Sequence, residues 1–275
     1  MVGIDGSAAS LGAARWAAHE AKLRGTPLEI VHVAGTPQPY DVPDDPRRDV
    51  AVEAAVEVRM WQPGIKVTTA TWQCNPTAAL IERSRHAALI VVGSRGQGGF
   101  SALRIGSVGA QLSGHARCPV LVVHHADRWA APAAALPQHG RIVVGADGSV
   151  PAAHALEHAF LEATLRRTPL TVMRAWQAPH HRHGRTPDLA QIQAAEEQHL
   201  AADVEPWAAK FPDVAVDLRT ERGNAAAVLL AAGQDAIMVV LGARGRDGFD
   251  ALRLGSVTQQ VLHHATGAVL IVHAG

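Results

Sequence analysis

The chain is poor in the features that mark most specialised protein classes. Its 275 residues include two cysteines, Cys74 and Cys118, far apart and both in the first half. Neither a disulfide framework nor a cysteine-based zinc site can be built from them. Charge of either sign is not in surplus, since 25 basic residues balance 25 acidic ones. That removes any bulk electrostatic reason to expect nucleic acid or an anionic membrane as a partner. No apolar run approaches the roughly 18 residues that span a bilayer, and no basic-then-apolar segment opens the sequence. A soluble, cytoplasmic protein is expected. Lysine is scarce, and Lys22, Lys66 and Lys210 all lie outside the glycine-rich stretches. The lysine-bearing phosphate loop G-x-x-x-x-G-K-[ST] is therefore excluded. The turn after the first strand reads Gly3-Ile4-Asp5-Gly6-Ser7-Ala8, which is not the G-x-G-x-x-G of a dinucleotide site. Sixteen histidines could supply a hydrolase triad on paper, but no G-x-S-x-G elbow exists to hold one.

What the chain does have is a duplication. Gly93 to Val108 returns as Gly242 to Val257 with eleven of sixteen positions identical. Each copy follows an apolar run and spaces its glycines as G-x-x-G-x9-G-S. Ile4-Asp5-Gly6-Ser7 likewise returns as Ala146-Asp147-Gly148-Ser149. Two domains follow, 1–126 and 139–275, joined by an Ala- and Pro-rich linker from His124 to Gly140.

The second half predicts five strands: Ile142–Ala146, Leu170–Ala175, Val214–Thr220, Ala236–Leu241 and Ala268–His273. Between them fall helices over Pro151–Arg167, Asp188–Lys210, Asn224–Ala232 and Ser256–His264. The first half repeats the order, with strands near Val2, Leu28–Val33, Ile65–Thr71, Ala88–Val92 and Val120–Val123. Strict strand–helix alternation predicts an α/β fold: two tandem, doubly wound, five-stranded parallel sheets. In the strand order 3-2-1-4-5, strands 1 and 4 flank the topological switch point, where such sheets bind ligands. Aspartate-glycine-serine and the glycine loop should therefore meet in one cleft per half.

A glycine-rich turn between a buried strand and a helix start suits phosphate. Gly93 and Gly96 allow positive φ and close approach, so that successive N–H groups can point inward at phosphate oxygens. Gly106 and Ser107 open the next helix, whose free N–H groups and positive dipole end add to the anion site. Gly242, Gly245, Gly255 and Ser256 take the same roles in the second half. Asp5 and Asp147 are acceptors suited to a base amine or a ribose hydroxyl. One such copy reads as readily as a turn and a helix cap; two copies with one spacing argue for a site.

With these motifs in place, the chain resembles a tandem universal stress protein of the ATP-binding branch, over nearly its whole length. The resemblance implies an adenine-nucleotide alpha-hydrolase-like fold and a nucleotide-binding regulator, not a dedicated enzyme, with no catalytic residues. It implies ATP, with or without Mg²⁺, as ligand. By resemblance Asp5 and Asp147 contact the adenosine, Val33 and Ala175 meet the adenine through their backbones, and Gly3 and Gly145 let the first strand approach it. The loops Gly93-Ser94-Arg95-Gly96 and Gly242-Ala243-Arg244-Gly245, with Gly106, Ser107, Gly255 and Ser256, hold ribose and phosphates. Pairing of the halves through their fifth strands as a pseudo-dimer is also implied, as is an optional homodimer; the regulated partner is not indicated. An ATP-using enzyme, with Asp247 and Asp250 as its only loop carboxylates, and a nucleotide-free interaction module are the alternatives.

Two departures predict a weaker first site. Met1 aligns with Val143, so the first strand is short unless the true start lies upstream, and Cys74 replaces Gly223 beside the pocket. His180, His181 and His183 read as a solvated loop and not a metal site. The pairs His124/His125 and His263/His264 are expected at the surface or at helix ends, and Trp16, Trp176 and Trp207 in packing roles.

Overall fold

Short β-branched runs form the inner strands, and Ala-rich segments with polar caps form the helices that cover them. The computed structural model describes residues 1–35, 49–96, 105–131, 134–137, 140–178, 188–245 and 254–273. It divides into two units between Leu136 and Pro137. The first contains β1 (Val2–Ile4), α1 (Ala8–Arg24), β2 (Leu28–Ala34), α2 (Val50–Trp61), β3 (Val67–Gln73), α3 (Pro76–Arg83), β4 (Ile90–Gly93), α4 (Ser107–His115) and β5 (Val120–Val123). The second contains β6 (Arg141–Gly145), α5 (Val150–Arg166), β7 (Leu170–Trp176), α6 (Leu189–Lys210), β8 (Val216–Arg222), α7 (Ala225–Ala232), β9 (Ala236–Gly242), α8 (Ser256–His264) and β10 (Ala268–Val272). Within the units the strand orders are β3-β2-β1-β4-β5 and β8-β7-β6-β9-β10, the doubly wound order expected. Every pairing within them is parallel.

Local chemistry sets the element ends. Ser7 and Ser149 cap α1 and α5 by accepting from the Ser10 and Ala152 amides. Gly25 ends α1 at φ 62°, where a left-handed residue returns its N–H to the last carbonyls. The same ion pair, on a buried glutamate, sits four residues apart in both helices: Glu20 with Arg24, and Glu162 with Arg166.

Three expectations are corrected. Both third strands lie two residues later than predicted, at Val67–Gln73 and Val216–Arg222 instead of Ile65–Thr71 and Val214–Thr220. Sliding by two leaves a period-2 pattern unchanged, so alternation alone cannot fix the register. The region expected as linker from His124 onward begins with a 3₁₀ turn, Ala126–Trp129, held on α1. A Cβ on Gly12 would stand 1.7 Å from the Ala126 carbonyl oxygen, and Arg15 donates to the carbonyls of Trp129 and Ala131. His124, expected at the surface, is 2% exposed for the same reason. Trp16 and Trp176 are buried as expected, whereas Trp207 is half-buried under the Lys210 ammonium.

Candidate functional site

At the carboxyl end of each sheet the order reverses between the first and fourth strands, and a cleft opens there. It holds about 490 Å³ in the first unit and about 430 Å³ in the second. The linings match position for position except at Ser94, whose counterpart Ala243 stands outside the second cleft. Gly3 and Asp5 answer to Gly145 and Asp147; Val31 and Val33 answer to Met173 and Ala175. Gly93, Arg95 and Gly96 answer to Gly242, Arg244 and Gly245, and Gly106 and Ser107 to Gly255 and Ser256. Leu80 of α3 and Leu229 of α7 close the apolar side, two residues that the motif search passed over. Their signal was available, since each stands five residues after an asparagine cap, Asn75 or Asn224.

The first wall is the Asp-Gly-Ser turn. Gly6 and Gly148 adopt φ of 82° and 79°, which costs a residue with a Cβ and suits glycine. Asp5 Oδ1 accepts from the Ser7 N–H at 3.0 Å and its hydroxyl at 2.6 Å. Asp147 Oδ1 accepts from the Ser149 N–H at 3.0 Å. Each aspartate thus ties its strand end to the cap of the next helix.

The second wall is the glycine loop, and of the two reasons expected for its glycines the positive φ is corrected while the close approach holds. Gly93, Gly96, Gly242 and Gly245 are absent from the positive-φ residues. Their constraint is space. A Cβ on Gly96 would stand 2.1 Å from Asp5 Oδ2, and one on Gly245 2.6 Å from Asp147 Oδ2. On Gly242 it would meet the Pro151 carbonyl oxygen at 2.7 Å. Gly3 and Gly145 are packing glycines too, with Leu80 Cδ1 at 3.0 Å and Leu241 Cδ2 at 2.9 Å from such a Cβ.

The loop base is closed by backbone. The Ser94 N–H donates to Val123 O at 2.9 Å, and the Gly106 N–H to Ser94 O at 2.7 Å. Ala243 with Val272, and Gly255 with Ala243, repeat this at 2.8 Å each. The Gly106 and Gly255 amides are therefore spent on closing the loop, and Ala243 does not line its cleft. Gly106 and Gly255 are the helix caps, and Ser107 and Ser256 the first helical residues.

This leaves a telling difference among the helices. Ser7, Asp49, Asn75, Ser149, Asp188 and Asn224 each cap a helix with a side-chain oxygen. At α4 and α8 the glycine caps supply no such bond. First-turn residues 107–109 and 256–258 all line the clefts. A helix start without a side-chain cap, at the positive end of the dipole, is suited to an anion from outside. A Cβ-free floor and this helix start fit a phosphate chain, and the apolar strand and leucine wall fits a planar base.

Cys74 is exposed and does not line the first cleft, so the expected crowding there is corrected. The third strand ends before it, and its backbone N–H is held by Ala34 O. Residues 97–104 and 246–253 lie outside the described residues, and with them Gly98, Ser101, Asp247 and Asp250; so do His180, His181 and His183. Among the described residues no three His, Cys, Asp or Glu side chains gather to hold a metal.

A model of the universal stress protein family matches residues 1–124 and again 139–273. The chain belongs to the universal stress protein family. It is 33% identical over 291 residues to a universal stress protein of Mycolicibacterium smegmatis, covering 99% of this chain and 96% of the relative. A universal stress protein of Mycobacterium tuberculosis is 33% identical over 285 residues, covering 98% and 95%. Among solved structures, a universal stress protein from Archaeoglobus fulgidus superposes over 100% of this chain and 96% of its own, with a TM-score of 0.69 at 20% identity. A universal stress protein structure from Pseudomonas aeruginosa covers 92% and 84%, with a TM-score of 0.61 at 20% identity. At that identity the two structures speak for the fold. The protein is thus a pair of universal stress protein domains, members of a stress-response family. Among the described residues no helix is long and apolar enough to cross a membrane.

Proposed function

We infer that the two clefts bind adenine nucleotide, ATP or ADP, and that the protein is a nucleotide-dependent regulator in the cytoplasm and not a dedicated enzyme. One observation carries the reading: in both units the helix without a side-chain cap opens onto a glycine-floored cleft, opposite an aspartate fixed by its own turn. The helix amides and Arg95 or Arg244 offer positive potential for phosphates. Val31 and Val33, or Met173 and Ala175, offer an apolar strip for the base. Asp5 and Asp147 offer an acceptor for the ribose or the base amine. A bound Mg²⁺ would neutralise phosphate charge, and among the described cleft residues Asp5 and Asp147 are the carboxylates that would hold it.

Calorimetric titration with ATP tests this. Binding to the wild type is expected, and no heat at millimolar nucleotide would end the reading. Turnover separates regulator from enzyme. Phosphoryl transfer needs charge stabilisation at the transferring phosphoryl group, and neither loop carries a lysine. ATP hydrolysis slower than about 1 per second is expected, and a faster rate would place the protein among the enzymes.

A further inference from the structure

The outer edges of the two sheets differ where the clefts agree. β3 and β8 are equivalent edge strands of seven residues. β8 carries Asp217, Arg219, Glu221 and Arg222, whereas β3, Val-Thr-Thr-Ala-Thr-Trp-Gln, carries no charge. Charged side chains are a common device that keeps an edge from pairing with another chain. The first unit lacks it.

The neighbouring helix differs in the same direction. On α2, Val52, Val56 and Met60 are 48%, 52% and 61% exposed. Counting back from the matched helix ends, Gln62 and Phe211, their counterparts on α6 are Ala201, Glu205 and Ala209. Val52 and Val56 fall on one face of α2 by their spacing of four. Asp49 and Arg59, on the same helix face, contact β3: Thr71 donates to Asp49 Oδ1 and Arg59 to Val67 O.

Backbone direction sets how this edge can pair. Leu28 N–H bonds to Lys66 O and Cys74 N–H to Ala34 O, so even-numbered residues of β3 face β2. The backbone groups of Thr69 and Thr71 point outward. A two-fold axis at Ala70 would set each Thr69 opposite the other copy's Thr71, an antiparallel pair that exchanges both hydrogen bonds. The equivalent pairing of β8 about Arg219 would set arginine against arginine, and Asp217 against Glu221. The uncharged edge is compatible with itself; the charged one repels itself. A formal net charge of zero adds no bulk repulsion between copies.

We propose that the β3 edge, with the Val52–Val56 side of α2, is a homodimer surface on which a second copy of this chain adds antiparallel, strand to strand and helix to helix. The surface is confined to the first domain and does not depend on nucleotide. Its limited apolar area places it among small interfaces, so the dimer should dissociate on dilution.

Sedimentation of the full chain over a concentration series tests it, with Ala70→Arg and Val56→Glu as variants. Each carries the sister domain's residue at a partly or fully exposed position, so folding is retained. The expected result is a reversible association in the wild type whose mass each variant halves. Hydrogen exchange at high and low concentration gives a second readout, with the Thr69 and Thr71 amides slowed at high concentration and those of Leu218 and Thr220 unchanged. A wild type that stays at 28.9 kDa throughout, or an association that neither variant weakens, overturns the proposal.

Discussion

The two clefts keep the same glycines, aspartate and helix-opening serine, while the two outer edges share almost nothing at their surfaces. Gly96 and Gly245 are each pressed against an aspartate, and the loop-closing backbone bonds recur to within 0.1 Å between Gly106–Ser94 and Gly255–Ala243, at 2.7 and 2.8 Å. At the edges, β3 is uncharged and β8 carries four charged residues. Contact in three dimensions explains the difference. A cleft glycine touches a second wall, so a Cβ displaces a neighbour, whereas an edge side chain meets solvent and is free to change. The wall residues occupy the middle ground: Val31 with Met173, and Val33 with Ala175, change shape but stay apolar, while Leu80 and Leu229 are the same residue.

The strongest break in the comparison comes from filling one glycine at a time. Gly245→Val drives a β-branched side chain into Asp147, and Gly96→Val does the same to Asp5. Each should cost its own cleft about 100-fold in ATP affinity, about 2.7 kcal/mol, and leave the other cleft intact. Equal losses at both clefts would show that the loops are not separate sites. A second contrast lies on the covering helices, where Gly12 of α1 corresponds to His154 of α5. Gly12→His forces the 3₁₀ turn at Ala126 off α1 and should destabilise the first domain by about 1–3 kcal/mol in denaturant unfolding. An unchanged midpoint would mean that the turn is not packed there.

A smaller effect is expected from the aspartates. Asp5→Ala and Asp147→Ala each remove a charged acceptor from a capped turn, and a loss of roughly tenfold in affinity at the altered cleft is expected, the lower end of the about 1.5–3 kcal/mol that hydrogen bonds to charged groups are worth. Affinity unchanged by either substitution would remove the aspartate from the ligand. The smallest effect concerns the two thiols. Cys74 is exposed, whereas burial pushes the Cys118 thiol up to about 11. At pH 8 a maleimide should modify Cys74 within minutes and Cys118 only on unfolding. Rapid double labelling of the native protein would contradict that burial.

The strand order and the meeting of Asp-Gly-Ser with the glycine loop were legible in the sequence because each follows from alternation and from repeated spacing. What was not legible has one physical cause. Val67–Gln73 slides by two without altering its pattern, His124 is buried only because Ala126 docks on Gly12, and Gly93 and Gly96 need room instead of an unusual φ. Each is decided by a residue distant in sequence. Cys74 taught the same lesson in reverse: it aligned with Gly223, expected beside the pocket, yet neither residue lines its cleft and Cys74 is exposed.

If each domain holds one adenine nucleotide between its aspartate and its glycine loop, the two clefts fill independently and one can be emptied without the other. Counting ATP bound per chain by calorimetry, in the wild type, Gly96→Val, Gly245→Val and the double variant, tests it most directly. Two, one, one and none are predicted, and a wild type that binds no nucleotide at millimolar concentration, or a double variant that still binds two, would contradict it.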